Sequence, residues 1–326
     1  MTSSNHMTIP HKFHHLTADV TRGSILETIH SGHAVEFTLD QGVIRQYGDP
    51  DFVTTMRSSA KPLQALPLVL LDGAEILNLS DEELAICCAS HPGTPRHSAL
   101  AASVLALSGF LPDDLICGPV GENGSPLRHG CSGNHSALLL GAKLLNADLV
   151  GYELPDHPIE KYVADLIQEF SAANDMQIAT DGCGVPTFGM TLAEMARSFA
   201  KITESDQKWS RIPYVMGRYP ELIGGENWPD VRVMQVTQGR IIGKTGAEGL
   251  ICFGMSGQGK GIAIKTIDGN PRALGPFSIQ VLLNAGWITE TEASDERLAG
   301  VVVPKLKDSR GVIVANITAK GIQEII

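Results

Sequence analysis

Hydrophobic periodicity changes twice along this chain, and the order of those changes limits the fold more than any single motif does. Residues 34–47, AVEFTLDQGVIRQY, alternate with a period of two on either side of Asp40-Gln41-Gly42, which predicts a hairpin. From about 61 to 230 the pattern is helical. Ser80-Asp-Glu-Glu83 is a capping box ahead of LAICCA, Pro95 opens HSALAASVLALSG, Asn134 opens HSALLLGAKLLN, and IEKYVADLIQEFSAA repeats its apolar residues at helical spacing. After 230 the segments VRVMQV, RIIGK, GLICFGM and GIAIKTI are short, β-branched and divided by glycines, as in an antiparallel meander. A helix over 271–286 follows, and VVVPKL and GVIVANI add strands. The expected class is therefore α/β (α+β), with an antiparallel sheet formed by both chain ends, about 16–60 and 231–326. A large helical insertion, about 61–230, lies between them, and the cleft where the two meet is the natural place for a site. Residues 16–326 are expected to form one catalytic unit behind a disordered segment, 1–15, which is polar and has no periodicity.

Composition removes several function classes. Of 326 residues, 43% are hydrophobic and 19% charged, which fits neither a disordered nor a membrane protein. The formal net charge is -11 and no long run of Lys or Arg occurs, so a nucleic acid backbone is not the expected partner and a small molecule is. No stretch reaches the roughly 20 apolar residues of a spanning helix. The opening MTSSNHMTIPHKFHH does not resemble a signal peptide, so a cytoplasmic location is expected, without membrane contact. Six cysteines at irregular spacing do not make a disulfide framework.

One motif poses a chemical question. In MRSSAKPLQAL, residues 56–66, Ser58 precedes Lys61 by three residues at the start of a helical pattern, so the hydroxyl and the amine share a face. The spacing alone is cheap, because Ser198-x-x-Lys201 and Ser205-x-x-Lys208 repeat it on what reads as surface. A lysine with an ordinary pKa of roughly 10.4 acts as a base near neutrality only where burial or a second cation disfavours its charge. Lys244-Thr245-Gly246, on the strand RIIGK beyond the insertion, supplies that cation. Ser-x-x-Lys followed late by Lys-Thr-Gly is the pairing found in penicillin-recognising serine hydrolases, where the strand also offers backbone donors to an oxyanion. Gly239-x-x-x-Gly243-Lys244-Thr245 is one residue short of a phosphate-binding loop and no helix follows it, which speaks against a nucleotide site. Two hydroxyls compete for a proton relay, Ser90 in CASHPG and Ser132 in Ser132-Gly-Asn134. Two glycine-flanked cysteines, Cys131 in RHGCSGNH and Cys183 in DGCGVP, combine with His135 as a candidate zinc site. The alternative is a pair of buried thiols in tight turns.

Taken together, MRSSAKPLQ, CASHPGTPRH, HGCSGNHSALLLGAK, DGCGVPT, KTGAEG and GIAIKTIDG resemble the asparaginase II family, the rhizobial-type L-asparaginases, in family order along nearly the whole chain. The resemblance implies a serine β-lactamase-like fold, hydrolysis of L-asparagine to L-aspartate and ammonia, and a homodimer. It implies two Ser/Lys pairs, Ser58 with Lys61 and Ser90 with Lys244, and so prefers Ser90 to Ser132. Lys260 and Lys265 are nearby rivals of Lys244. It also implies a metal site at Cys131 and Cys183 completed by a lysine. Asn134 stands where that lysine would be, and an amide is a poor zinc ligand, which leaves His135 as a substitute. No cofactor is required for the chemistry expected.

In that chemistry Lys61 takes the proton of Ser58, which attacks the side-chain amide of asparagine. Backbone N–H groups of Ser58 and near Gly246 meet the oxyanion, and Ser90 with Lys244 returns a proton to the leaving ammonia. Arg57, His91, Asp181 and Glu248 are the expected substrate-binding residues. Two rival readings share the pocket: a penicillin-recognising hydrolase of β-lactamase or penicillin-binding type, and a relative that binds a small molecule without turnover.

Overall fold

A computed structural model describes residues 16–120 and 124–320. The segment 1–15, expected to be disordered, lies outside the described residues. Eleven strands are present among them: β1 Leu16–Arg22, β2 Ile25–Thr38, β3 Gly42–Tyr47, β4 Val53–Thr55, β5 Gln177–Thr180, β6 Pro186–Thr191, β7 Ile241–Gly246, β8 Leu250–Met255, β9 Lys260–Thr266, β10 Lys305–Lys307 and β11 Ile313–Ala319. The main sheet runs β10-β11-β1-β2-β9-β8-β7, every pairing antiparallel, with β3 paired to the second half of β2. Both chain ends build it, as the order of patterns predicts. The hairpin expected at Asp40-Gln41-Gly42 joins β2 to β3; Gly42 there holds a φ of 79°, which a glycine adopts without steric cost.

Alternation along the strands divides the core in two. Ile242, Leu250, Cys252 and Ala263 face the helical insertion, while Ile241, Ile251, Phe253, Ile262 and Ile264 face the other side. The helix Leu192–Ile202 lies against the first face and the helix Leu274–Asn284 against the second. Small residues let the first helix approach closely. A Cβ at Gly254 would stand 2.7 Å from the carbonyl of Phe199, and one at Gly261 would run into the carbonyl of Ala196.

Three local expectations are corrected. VRVMQV is not a strand but part of the helix Pro229–Val236, so the C-terminal share of the sheet begins at Ile241, not 231. Pro229 at the first helical position starts that helix, and burial of Val231, Val233 and Met234 outweighs their β propensity. The helical insertion is interrupted by a small antiparallel sheet, β4-β6-β5, whose short strands flank the glycine-rich loop at 181–184. In VVVPKL Val301 and Val302 belong to a helical turn, Ala299–Val302, and only Lys305–Lys307 pair as β10.

If close approach of the 192–202 helix holds the insertion on the sheet, Gly261→Ala overpacks that contact. We expect it to cost about 2 kcal/mol, read as a fall of several degrees in the melting temperature; an unchanged melting temperature would contradict the packing described.

Candidate active site

Ser58 sits on a short 3₁₀ turn, Arg57–Ala60, that leads directly into the helical turn Lys61–Gln64. The turn is fastened on both sides. Met56 N–H donates to Phe188 O at 2.8 Å and Arg57 N–H to Thr187 Oγ1 at 3.0 Å, which ties it to β6. Ser59 Oγ donates to Lys244 O at 3.0 Å, which ties it to β7. A Cβ on Gly246 would lie 2.9 Å from both Met56 O and Ser59 Oγ, so only glycine lets β7 pass this close to the turn. Arg57 adopts a φ of 48°, a left-handed conformation that costs a non-glycine residue roughly 1 kcal/mol or more. The strain sits immediately before Ser58. Ser58 itself is half-exposed on a cleft wall, and its hydroxyl has no hydrogen-bond partner among the described residues.

That cleft has a volume of about 830 Å³ and is lined by Ser58 and Ser90, by Trp228, by Thr245 to Glu248 on β7 and the turn after it, and by Arg272, among others. A larger, open hollow of about 950 Å³ between Thr203 and Arg297 contains none of the sequence-selected residues. Lys61, buried at the foot of the cleft, donates to Ser90 Oγ at 2.9 Å and Ala89 O at 2.8 Å, and contacts Cys131 Sγ at 3.2 Å. The lysine expected beside Ser58 therefore holds Ser90 directly. No hydrogen bond joins it to Ser58 among the described residues, nor does one join Ser90 to Lys244.

Lys244 lies in mid-strand, fully buried, and donates to Thr245 O at 2.9 Å. Its amine is 5.8 Å from the Trp228 ring. Burial pushes its pKa down to about 8; the positive charge of Lys61 adds to the shift and Asp230 opposes it. Asp230, fully buried on the helix Pro229–Val236, accepts from Thr245 N–H at 2.7 Å and so fixes the Lys-Thr-Gly strand. Thr245 Oγ1, in the cleft lining, has no partner among the described residues. Lys265, a rival of Lys244, donates to Glu248 O and Thr266 O, each at 2.6 Å, and supports the turn that carries Glu248; Lys260 is half-buried at the start of β9.

The four expected substrate-binding side chains separate into two kinds. Glu248 stands exposed in the cleft lining on a left-handed turn residue, φ 57°. Arg57 and Asp181 are spent on each other: Nε donates to Oδ2 at 2.9 Å and Nη2 to Oδ1 at 3.0 Å, and this pair raises the arginine pKa. His91 is buried with both ring nitrogens engaged. Gly93 N–H donates to Nδ1 at 3.1 Å, which makes Nε2 the donor to Ser132 Oγ at 3.0 Å. Burial and the charge near it push His91 down to about 3, so its ring is neutral. Ser132 is buried in the same chain, donating to Leu127 O at 2.8 Å, and is not in the cleft lining; of the two relay candidates, only Ser90 is.

The residues for a metal are arranged less favourably. A hydrogen bond from the Cys183 thiol, reinforced by Lys61 and His129, holds Cys131 well below the ordinary thiol pKa, and the same contact raises Cys183. His135 is turned to Tyr152, with Nδ1 2.7 Å from the phenol oxygen, and burial lowers its pKa to about 4. Both amide atoms of Asn134 and Nε2 of His135 are buried without partners among the described residues. No three His, Cys, Asp or Glu side chains converge to hold a metal ion among those residues. Cys131 is hydrogen-bonded to Cys183 and to His129, which also engages Cys117, while His135 is turned to Tyr152 and Asn134 offers only an amide, so the expected zinc ligand set is not assembled.

The sequence model of the L-asparaginase II family matches residues 18–319, so the chain belongs to that family. No curated protein matches it. Among solved structures it is similar to a β-lactamase from Mycobacterium bovis, at 13% identity and a TM-score of 0.40, over 72% of this chain and 86% of that one. A candidate β-lactamase from Bacteroides dorei is similar at 10% identity and a TM-score of 0.37, over 78% of this chain and 85% of that one.

A lysine with a pKa near 8 when folded and 10.5 otherwise sheds its proton on folding between those values. In that window the unfolded chain binds more protons, so the residue's destabilising effect, present in full below pH 8, is relieved as pH rises to 10.5. Compared with Lys244→Met, the wild type should therefore gain on the order of 3 kcal/mol over this range in denaturant titrations. A stability difference independent of pH would contradict the lowered pKa of the buried lysine.

Proposed function

We propose that the protein is an L-asparaginase that works through a Ser-Lys acyl-enzyme, converting L-asparagine and water to L-aspartate and ammonia. The observation that carries this reading is the pair of hydroxyls, Ser58 and Ser90, on one cleft wall, with Lys61 hydrogen-bonded to Ser90 at 2.9 Å and the buried Lys244 near it.

Ser58 is the nucleophile: its hydroxyl is uncommitted, and the strained Arg57 presents it to the cleft. As Ser58 attacks the side-chain amide carbon, its proton passes to Lys61. The backbone N–H groups of Ser58 and of a residue near Gly246 take up the oxyanion, a donor of this kind being worth roughly 3 kcal/mol in other enzymes. Lys61 then returns the proton through Ser90 to the departing nitrogen, which leaves as ammonia. Lys244 serves this relay by its charge instead of by contact with Ser90. Water attacks the aspartyl ester along the reverse path and releases L-aspartate.

An ammonia-release assay with L-asparagine tests the assignment. The wild type should turn over, Ser58→Ala should lose at least about 10³-fold in kcat, and Ser198→Ala should stay within about twofold. The second serine also precedes a lysine by three residues, yet it is buried and donates to Met195 O at 2.7 Å. Equal loss in both variants, or survival of the first, contradicts the assignment. Acylation by a fluorescent penicillin without ammonia release would favour a penicillin-recognising hydrolase, and saturable asparagine binding without turnover a non-catalytic binder.

A further inference from the structure

We propose that Arg272, a residue the sequence motifs do not single out, is the receptor for the substrate's α-carboxylate, with Glu248 facing the α-ammonium; this rests on the asparaginase reading above. An amino acid substrate carries one positive and one negative group close together. The described cleft lining contains one basic residue, Arg272, and one acidic residue, Glu248. They come from adjacent turns: a Cβ on Gly269, three residues before Arg272, would stand 2.9 Å from Glu248 Oε2.

The way Arg272 is held distinguishes it from Arg57. Its Nε donates to Nε2 of His30 at 2.6 Å, which requires that nitrogen to be unprotonated and leaves Nδ1 to donate to Asp268 Oδ2, also at 2.6 Å. His30 is buried on β2, so the guanidinium is fixed through its inner edge by a rigid, neutral acceptor. Both Nη groups lack partners among the described residues. Arg57, by contrast, has both ends of its fork bound by Asp181. A half-buried guanidinium held at one nitrogen, with its terminal nitrogens uncommitted in the cleft that contains Ser58, suits two parallel hydrogen bonds to a carboxylate. His30 and Asp268 act through Arg272 as positioning residues.

Binding is measured in the Ser58→Ala background, where turnover does not interfere. Calorimetry compares L-asparagine with L-asparaginamide, in which a neutral amide replaces the α-carboxylate. Adding Arg272→Met should weaken L-asparagine at least 30-fold, about 2 kcal/mol, and L-asparaginamide less than threefold. Arg272→Lys, which keeps the charge and loses the fork, should fall between, and is the variant that decides if the methionine protein does not fold. His30→Ala should weaken L-asparagine selectively by about tenfold. Equal weakening of both ligands, no weakening, or a Ser58→Ala protein that does not prefer L-asparagine to its amide would overturn the proposal. Wild-type protein that binds selectively through Arg272 yet releases no ammonia would instead overturn the catalytic reading and leave the carboxylate receptor standing.

Discussion

Two lysines from opposite ends of the helical insertion are buried beneath one cleft, and the rest of the site is arranged around the cost of keeping them there. An isolated buried ammonium is expensive enough to discharge before it is tolerated. Lys61 is engaged by Ala89 O, Ser90 Oγ and the thiol of Cys131, which is itself biased towards thiolate. Lys244 has a carbonyl, a distant indole face and the buried carboxylate of Asp230, yet burial lowers its pKa to about 8. The two amines are therefore not equivalent. One is tied to a hydroxyl in the cleft, and the other supplies a charge that varies near neutral pH.

The sheet makes this juxtaposition possible. Ser58 and Lys61 follow the N-terminal strands, while Lys244 lies on β7, nearly two hundred residues later in the chain, at the edge opposite β10. Only the contact of the 3₁₀ turn with β7, sealed by Ser59 Oγ on Lys244 O and permitted by the missing side chain of Gly246, brings them together. Arg57 and Asp181 fasten the same turn to the glycine-rich loop that carries Cys183. This ion pair braces the turn that carries Ser58.

The sequence announces which residues gather here better than it announces how they pair. The switch from period-two to helical spacing and back was enough to foresee a sheet built by both ends, because alternation such as Ile241 against Ile242 and Phe253 against Cys252 is fixed by which core each faces. VRVMQV misleads because β-branched residues are tolerated in a buried helix, and the Pro229 start signal outranks them. At the site, Ser-x-x-Lys spacing suggests a Ser58–Lys61 bond, but a 3₁₀ turn and a carbonyl at 89 direct the amine to Ser90. Arg272 was illegible for a different reason: its importance depends on His30, more than two hundred residues away, and no local pattern records that contact.

The claim on which the account turns is that a covalent intermediate forms at Ser58. Rapid acid quenching during turnover of L-asparagine, followed by peptide mass mapping, reads it directly. The account predicts an aspartyl ester on the peptide that contains Ser58, fragmenting to that residue. An ester on Ser90 or Ser59, or steady turnover under conditions that trap no ester in a protein known to form one, would contradict it.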